Sequence, residues 1–385
     1  MHLTKEEEKI LEGEEGPGPA KAMELLLAIG KIYDAEKLIP IKSAQVAGVS
    51  YKTMGDAGLE FVEDFSNMAK VKVRTLMNPA GMDLGQKGIE GEHFREKQLR
   101  LVEAYSSMGI EPSCTCTPYL AGNRPNKDTH LAWSESSAVS FANTVLGART
   151  NREGGPSALM AAVIGKTPYY GLHIKENRSP DIVYEVEDHV PMALLGYLVG
   201  EELGNKIPYF RNISPSEDEL KSLGAAMAAT GAVALYHVEN ITPEHDDFTV
   251  NNLETITVTK KDIEDVRDQL TQDNDPDVIV LGCPHLSSKE LKKVAKELKN
   301  KSIKDGPDLL LYTSRKVKED NQKTVKIIEE KGGKVITDTC MVVSPLENEY
   351  STAATNSGKA AAYLPKLAHQ NVIYADLKTL MEMIS

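Results

Sequence analysis

The sequence predicts an α/β fold of parallel sheets and covering helices, divided among more than one lobe. Three observations carry that expectation. From Asp277 onward, short β-rich runs alternate with helical stretches, the sequence pattern of a parallel sheet with crossover helices. Two of those runs, 277–283 and 334–340, end on a cysteine. Ligands of open α/β sheets bind beyond the carboxyl ends of strands, so both thiols are delivered to the kind of crevice that holds chemistry. Finally, 385 residues are long for a single core.

The elements follow in order. Thr4 caps a short acidic helix, and Pro19 falls in the first turn of an apolar-striped helix through Tyr33. A β-like run over 39–46 leads into Gly48-Val49-Ser50-Tyr51-Lys52 and a helix over 54–65. Residues 70–77 alternate as a strand and stop at the turn Asn78-Pro79-Ala80-Gly81. A helix over 92–108 ends at Gly109. Residues 131–146 read as one small-residue helix, followed by a Gly-bounded loop over 147–157. Strands are expected at 182–187, 207–210 and 233–238, with helices between them. One of these helices begins near Ser214–Glu219 and continues through 220–230.

The C-terminal third reads as strand 277–281, helix 287–299, strand 308–313, helix 316–331 and strand 334–338. A helix from about 352, a strand over 371–375 and a terminal helix complete it. The polar stretch Thr271-Gln272-Asp273-Asn274-Asp275-Pro276 has nothing apolar to bury, and a lobe boundary is expected there, dividing 1–270 from 271–385.

Composition narrows the function. Hydrophobic residues at 41% and charged residues at 26% are ordinary for a globular chain, and no apolar run approaches the ~18 residues of a membrane span. The first residues are acidic and lack the apolar core of a signal peptide, so a cytoplasmic location is expected. A net charge of -13 argues against a general nucleic-acid binder, which needs a basic face. It leaves room for a small anionic substrate held by a local cluster of cations and N–H groups. Four cysteines in so long a chain do not make a disulfide scaffold.

Several segments carry candidate chemistry. Cys114-Thr115-Cys116-Thr117-Pro118-Tyr119 can add a third thiol to Cys283 and Cys340. Cys114 and Cys116 are too close in sequence for a zinc knuckle, and Cys116 is favoured because Pro118 and Tyr119 fix the loop after it. Three thiolates on an iron–sulfur cluster would leave one iron without a protein ligand, a Lewis-acid site. Gly48, Val49 and Ser50 form a strand-to-helix turn suited to a carboxylate or phosphate, and Asn78-Pro79 is a second strand-end turn. In Trp133-Ser134-Glu135-Ser136-Ser137, either Ser134 or Ser136 caps the helix, or Glu135 and Ser136 face a site, where Glu135 could bind substrate or handle a proton. Arg149 and Arg152 sit in a loop with Asn151 and Glu153, and Lys359 closes Thr355-Asn356-Ser357-Gly358-Lys359.

Taken together, Gly48-Val49-Ser50, Cys116-Thr117-Pro118-Tyr119, Glu135-Ser136-Ser137-Ala138, the string Gly147-Ala148-Arg149-Thr150-Asn151-Arg152-Glu153-Gly154-Gly155, Gly282-Cys283-Pro284-His285 and Ser357-Gly358-Lys359 resemble the aconitase X family. The resemblance runs through essentially the whole chain. It implies an aconitase-like multi-lobe α/β fold around a central crevice and a [4Fe–4S] cluster on Cys116, Cys283 and Cys340. It implies dehydration of (R)-5-phosphomevalonate to trans-anhydromevalonate 5-phosphate. Gly48, Val49, Ser50, Asn78, Pro79, Glu135, Ser136 and Lys359 would be the substrate-side positions. A small swivelling-domain subunit carrying a serine base would complete the enzyme. A second branch of the family dehydrates cis-3-hydroxy-L-proline. A reading from another class, an iron-sensing RNA-binding protein, is disfavoured by the acidic charge. The sequence assigns no role to Cys114 or His285.

Overall fold

The computed structural model describes residues 1–204, 206–271, 275–299, 301, 303 and 306–384. Gln272, Asp273 and Asn274, in the stretch where the lobe boundary is expected, lie outside the described residues.

Among the described residues the strands form four sheets, and the three larger ones are parallel throughout. The N-terminal sheet has the order Arg74–Met77, Ser43–Val46, Ala132–Trp133. A four-stranded sheet runs His237–Val238, Pro208–Arg211, Ile182–Val186, Thr255–Val258. The five-stranded sheet runs Lys334–Ile336, Asp308–Thr313, Val278–Leu286, Thr352–Thr355, Asn371–Tyr374. The short pair Leu38–Pro40 and Lys166–Pro168 is antiparallel.

Local chemistry explains where helices begin. Thr4 and Glu7 form a reciprocal capping box before Lys5–Leu11, and Ser216 with Glu219 does the same before Glu217–Thr230. Gly109, at φ +91°, stands just past helix Glu92–Ser107.

Four expectations are corrected. The helix expected over 131–146 is a strand, Ala132–Trp133, followed by a helix, Ser136–Thr144. Ala132 and Trp133 are fully buried and pair with Ala44 and Gln45, and Glu135 caps the helix that begins after them. The helix expected from about 352 is instead strand Thr352–Thr355, buried at every position. Its parallel neighbours on both sides override the helix preference of Ala353 and Ala354. The helix then begins after Ser357, as Gly358–Leu367. The run 39–46 is split between two sheets, and the end of the loop expected over 147–157 is already the first turn of a buried helix, Gly155–Ile164.

The two C-terminal parallel sheets share an interior. Leu223, Met227 and Val258 belong to the same apolar cluster as Val278, Ala353 and Leu364. A second cluster seats the N-terminal sheet against Pro17–Ile32, Tyr51–Ser66 and Glu92–Ser107. The N-terminal and five-stranded sheets meet where their strands end. Ala80, just past Met77, donates its N–H to Asp338 O at 2.8 Å, just past Ile336. That seam holds the chemistry.

Candidate active site

A cavity of about 200 Å3 opens at this junction. From the N-terminal sheet it receives Asn78 and Pro79, which follow strand Arg74–Met77, and Glu135 and Ser136, which follow Ala132–Trp133. From the five-stranded sheet it receives Cys283, Cys340 and Lys359. Cys116 completes the wall, its loop tied to the N-terminal sheet by Thr115 N donating to Met77 O at 3.1 Å and by Gln45 Nε2 donating to Thr115 O at 2.9 Å. Parallel strands thus deliver eight of the eleven sequence-nominated residues to one space.

The other three stand behind it. Gly48, Val49 and Ser50 do not line the cavity; the Ser50 hydroxyl donates to Val343 O at 2.8 Å, and Val343 forms part of the wall. Lys52 reinforces the contact by pairing with Glu347 at 2.7 Å and donating to Ser344 O at 3.0 Å. In this structure the Gly48–Lys52 turn therefore clamps the loop that follows Cys340. Arg152 also lines the cavity, whereas Arg149 is engaged by Asp128 at 2.7 Å and by His173 O at 3.1 Å. A larger cavity, about 510 Å3, lies beside the edge strand Lys334–Ile336, and its wall carries no cysteine.

Glu135 and Lys359 form an ion pair inside the wall. Glu135 also accepts from Asn78 Nδ2 at 2.8 Å and from Ser137 Oγ at 3.1 Å. Burial opposes its ionisation, but the Lys359 ammonium and these hydrogen bonds outweigh burial and hold the carboxyl at about 2. For Lys359, burial favours the neutral amine, and the Glu135 carboxylate reverses that and raises its pKa. Asn78 Nδ2 is committed to Glu135, and its Oδ1 is buried without a partner. Helices Ser136–Thr144 and Gly358–Leu367 both begin at this wall, adding their positive ends to it.

All four cysteines are free thiols. Burial raises each of the three in the cavity, Cys283 to about 12, so they are neutral until a cation compensates the thiolates. Donors surround the sulfurs. His285 N–H points at Cys116 Sγ at 3.2 Å, the Val342 and Val343 N–H groups favour the Cys340 thiolate, and the Ser357 hydroxyl favours that of Cys283. Among the described residues no group of three His, Cys, Asp or Glu side chains converges on a single metal ion. A cluster spreads its ligands over separate irons, so three thiols lining one cavity with N–H and O–H donors around them fit it better than they fit one ion.

Cys114 lies elsewhere. It is fully buried in the N-terminal core and does not line the cavity. His285 is also fully buried, and burial moves its imidazole down to about 4, so the ring is neutral at ordinary pH. Sequence reasoning passed over Ser134, Gly282, Val342, Val343, Tyr363 and Leu367 in the wall. Ser134, Gly282, Val342 and Val343 lie within three residues of nominated positions, and Tyr363 and Leu367 follow Lys359 at helical spacings of four and eight.

Three family models tile the chain: the first, second and third domains of aconitase X match residues 1–176, 180–268 and 276–384. The chain belongs to the aconitase X family. It is similar to the phosphomevalonate dehydratase large subunit of Methanocaldococcus jannaschii, 52% identical over 99% of this chain and 100% of that one. It is similar also to the crystal structure of Thermococcus kodakaraensis aconitase X in its holo-form, with a TM-score of 0.94 and 50% identity over 100% of both chains. The cis-3-hydroxy-L-proline dehydratase of Hypocrea jecorina is more distant, 31% identical over 98% of this chain and 67% of that one. This aconitase X protein is an enzyme of the hydro-lyase class. Among its described residues no helix is long and apolar enough to cross a membrane.

Proposed function

We propose that this chain is the large, cluster-bearing subunit of a cytoplasmic hydro-lyase. It dehydrates (R)-5-phosphomevalonate to trans-anhydromevalonate 5-phosphate within a modified mevalonate route to isoprenoids. The observation that carries the reading is the convergence of three thiols, Cys116 buried and Cys283 and Cys340 half-buried, and the Glu135–Lys359 pair on one cavity. Full-length identity of 52% to a protein named for that reaction supports the substrate, against 31% for the hydroxyproline branch.

Cys116, Cys283 and Cys340 would hold a [4Fe–4S] cluster, which supplies Lewis acidity to the departing hydroxyl group. The chain's own residues bind and orient. Asn78 Oδ1 is free to accept a substrate hydroxyl, because its amide nitrogen is already given to Glu135. Lys359 and the two helix N-termini favour negative charge in the cavity. Arg152 brings a guanidinium that pairs with no carboxylate among the described residues and donates only to Ala228 O, at 3.3 Å. It is placed to take the phosphate or carboxylate of the substrate. Gly48, Val49 and Ser50 support the wall from behind Val343, and Pro79 and Ser136 shape it.

Glu135 is committed to Lys359 and Asn78, which leaves it unsuited to removing the proton at the carbon next to the carboxylate. That base, a serine, is assigned to a small swivelling-domain subunit. The name "large subunit" of the similar proteins supports a partner, as does the extra third of the hydroxyproline dehydratase beyond the matched region.

The test is to produce the chain anaerobically with its small subunit, reconstitute iron and sulfide, and follow loss of water. Turnover of (R)-5-phosphomevalonate is expected. Turnover of cis-3-hydroxy-L-proline in its place would overturn the substrate while leaving the family untouched.

A further inference from the structure

His285 sits on one of the three thiol-bearing loops and bonds to the other two. Its Nε2 lies 2.9 Å from Thr339 O; a carbonyl only accepts, so Nε2 carries the proton. Nδ1 lies 2.9 Å from the Thr115 hydroxyl, which donates to it in the tautomer protonated at Nε2 alone. Thr339 precedes Cys340, Thr115 precedes Cys116, and His285 itself follows Cys283 with only Pro284 between. Its backbone N–H adds the contact to Cys116 Sγ at 3.2 Å. The hub is fixed in turn: buried Lys221 donates to His285 O at 3.1 Å and pairs with Glu290. These partners lie 170 and 54 residues away along the chain, so no local turn could hold them together.

We infer that His285 is a positioning residue that locks the three cysteine loops in register before any metal arrives. The inference rests on the cluster reading above and names the device that prepares its site. Three loops from separate elements would each have to be ordered on metal binding, and that entropy subtracts from affinity. A single imidazole in one tautomer, bonded to two loops and carried by the third, orders them during folding instead. Residues that orient ligands without touching the metal change metal affinity by roughly 10- to 100-fold when removed.

The experiment uses the full-length chain as wild type, His285→Ala, His285→Gln, Thr115→Val and the His285→Ala/Thr115→Val double variant. Each is reconstituted with iron and sulfide, and the rate of iron loss to a chelator is followed by visible absorption. Metal-free melting temperatures are recorded alongside. His285→Ala should release iron about 10-fold faster or more, and Thr115→Val several-fold faster. Thr115→Val also removes the acceptor of the Thr117 N–H at 3.1 Å, so the double variant can exceed His285→Ala, but its effect should fall clearly below the sum of the two single effects because the His285–Thr115 hydrogen bond is lost in both. His285→Gln can still donate toward Thr339 O and should recover part of the loss. In metal-free wild type, ring nitrogen-15 shifts should report the Nε2–H tautomer.

Wild-type iron retention in His285→Ala, additive effects in the double variant, or an Nδ1–H tautomer would each overturn the inference. Should His285→Ala fail to fold, Thr115→Val and the ring shifts decide it by the same outcomes. A wild-type chain that takes up no iron and sulfide would instead refute the cluster, while the tautomer still reports on the brace.

Discussion

Glu135 shows how far a folded environment moves a residue from its sequence-level reading. A carboxylate among serines near a helix start suggests proton handling, yet Lys359, Asn78 and Ser137 hold it ionised at about 2. The folded value lies below the unfolded value of about 4.3, so the stabilisation is fully present above roughly pH 4.3 and is lost only as pH falls through the folded value. The Glu135 carboxyl carbon should therefore keep its ionised carbon-13 shift throughout pH 5 to 8; titration inside that window would contradict the pairing. Glu135→Gln strands a buried ammonium, and urea unfolding should show a loss of about 3–5 kcal/mol. Adding Lys359→Met should restore much of it, whereas additive losses would mean that the two side chains act independently. Arg152 belongs to the same scale. Arg152→Gln should raise KM for the phosphorylated substrate by roughly 10-fold or more with kcat little changed, as loss of a charge-assisted contact implies. An unchanged KM would remove Arg152 from the substrate site.

At the scale of elements, glycine placement decides whether the loops seat. Gly282 precedes Cys283 at φ +103°, and a Cβ there would lie 2.1 Å from Tyr312 O, inside the irregular register between Leu281 and Leu286. Gly282→Ala should cost about 2–4 kcal/mol and reduce iron uptake, whereas Gly91→Ala, with nothing within 4 Å and only a helix N-cap to lose, should cost no more than about 1 kcal/mol. Equal effects at the two positions, read by denaturant titration, would contradict this account of the loop.

The sequence made the strand-end positions of Cys283 and Cys340 legible because β-rich runs stop at turn residues. It also favoured Cys116 over Cys114 through Pro118, and the cavity includes Cys116 and leaves Cys114 out. Strand Thr352–Thr355 and helix Gly155–Ile164 were hidden for one physical reason. Elements buried on all sides lose the polar–apolar alternation that announces their type. The His285 brace was hidden for another. Its bonds join loops 170 and 54 residues apart, and no local pattern encodes such a meeting. The Gly48–Ser50 turn was legible as a turn, but the clamp it makes on Val343 was not.

Among the described residues two parallel sheets meet strand end to strand end, and a third parallel sheet shares the interior of the second. That arrangement lets a chain of net charge -13 concentrate Lys359, Arg152 and two helix N-termini at one cavity. The acidic exterior and the cationic pocket thus serve different ends, one colloidal and one chemical. Under the proposed function it also divides labour: the thiols and the orienting groups are here, and the proton-removing serine would come from a partner. The large chain alone should accordingly take up iron and sulfide yet turn over at no more than a small fraction of the rate of the two subunits together, as a steady-state assay would show.

The central claim is that the cavity of Cys116, Cys283 and Cys340 is where water is lost. The most direct measurement compares (R)-5-phosphomevalonate dehydration by wild type, Cys283→Ser and Cys114→Ser, each reconstituted with the small subunit under identical anaerobic conditions. The account predicts that Cys283→Ser abolishes turnover and loses cluster absorption, while Cys114→Ser, buried away from the cavity, retains both. Retained activity in Cys283→Ser with activity lost in Cys114→Ser would contradict it.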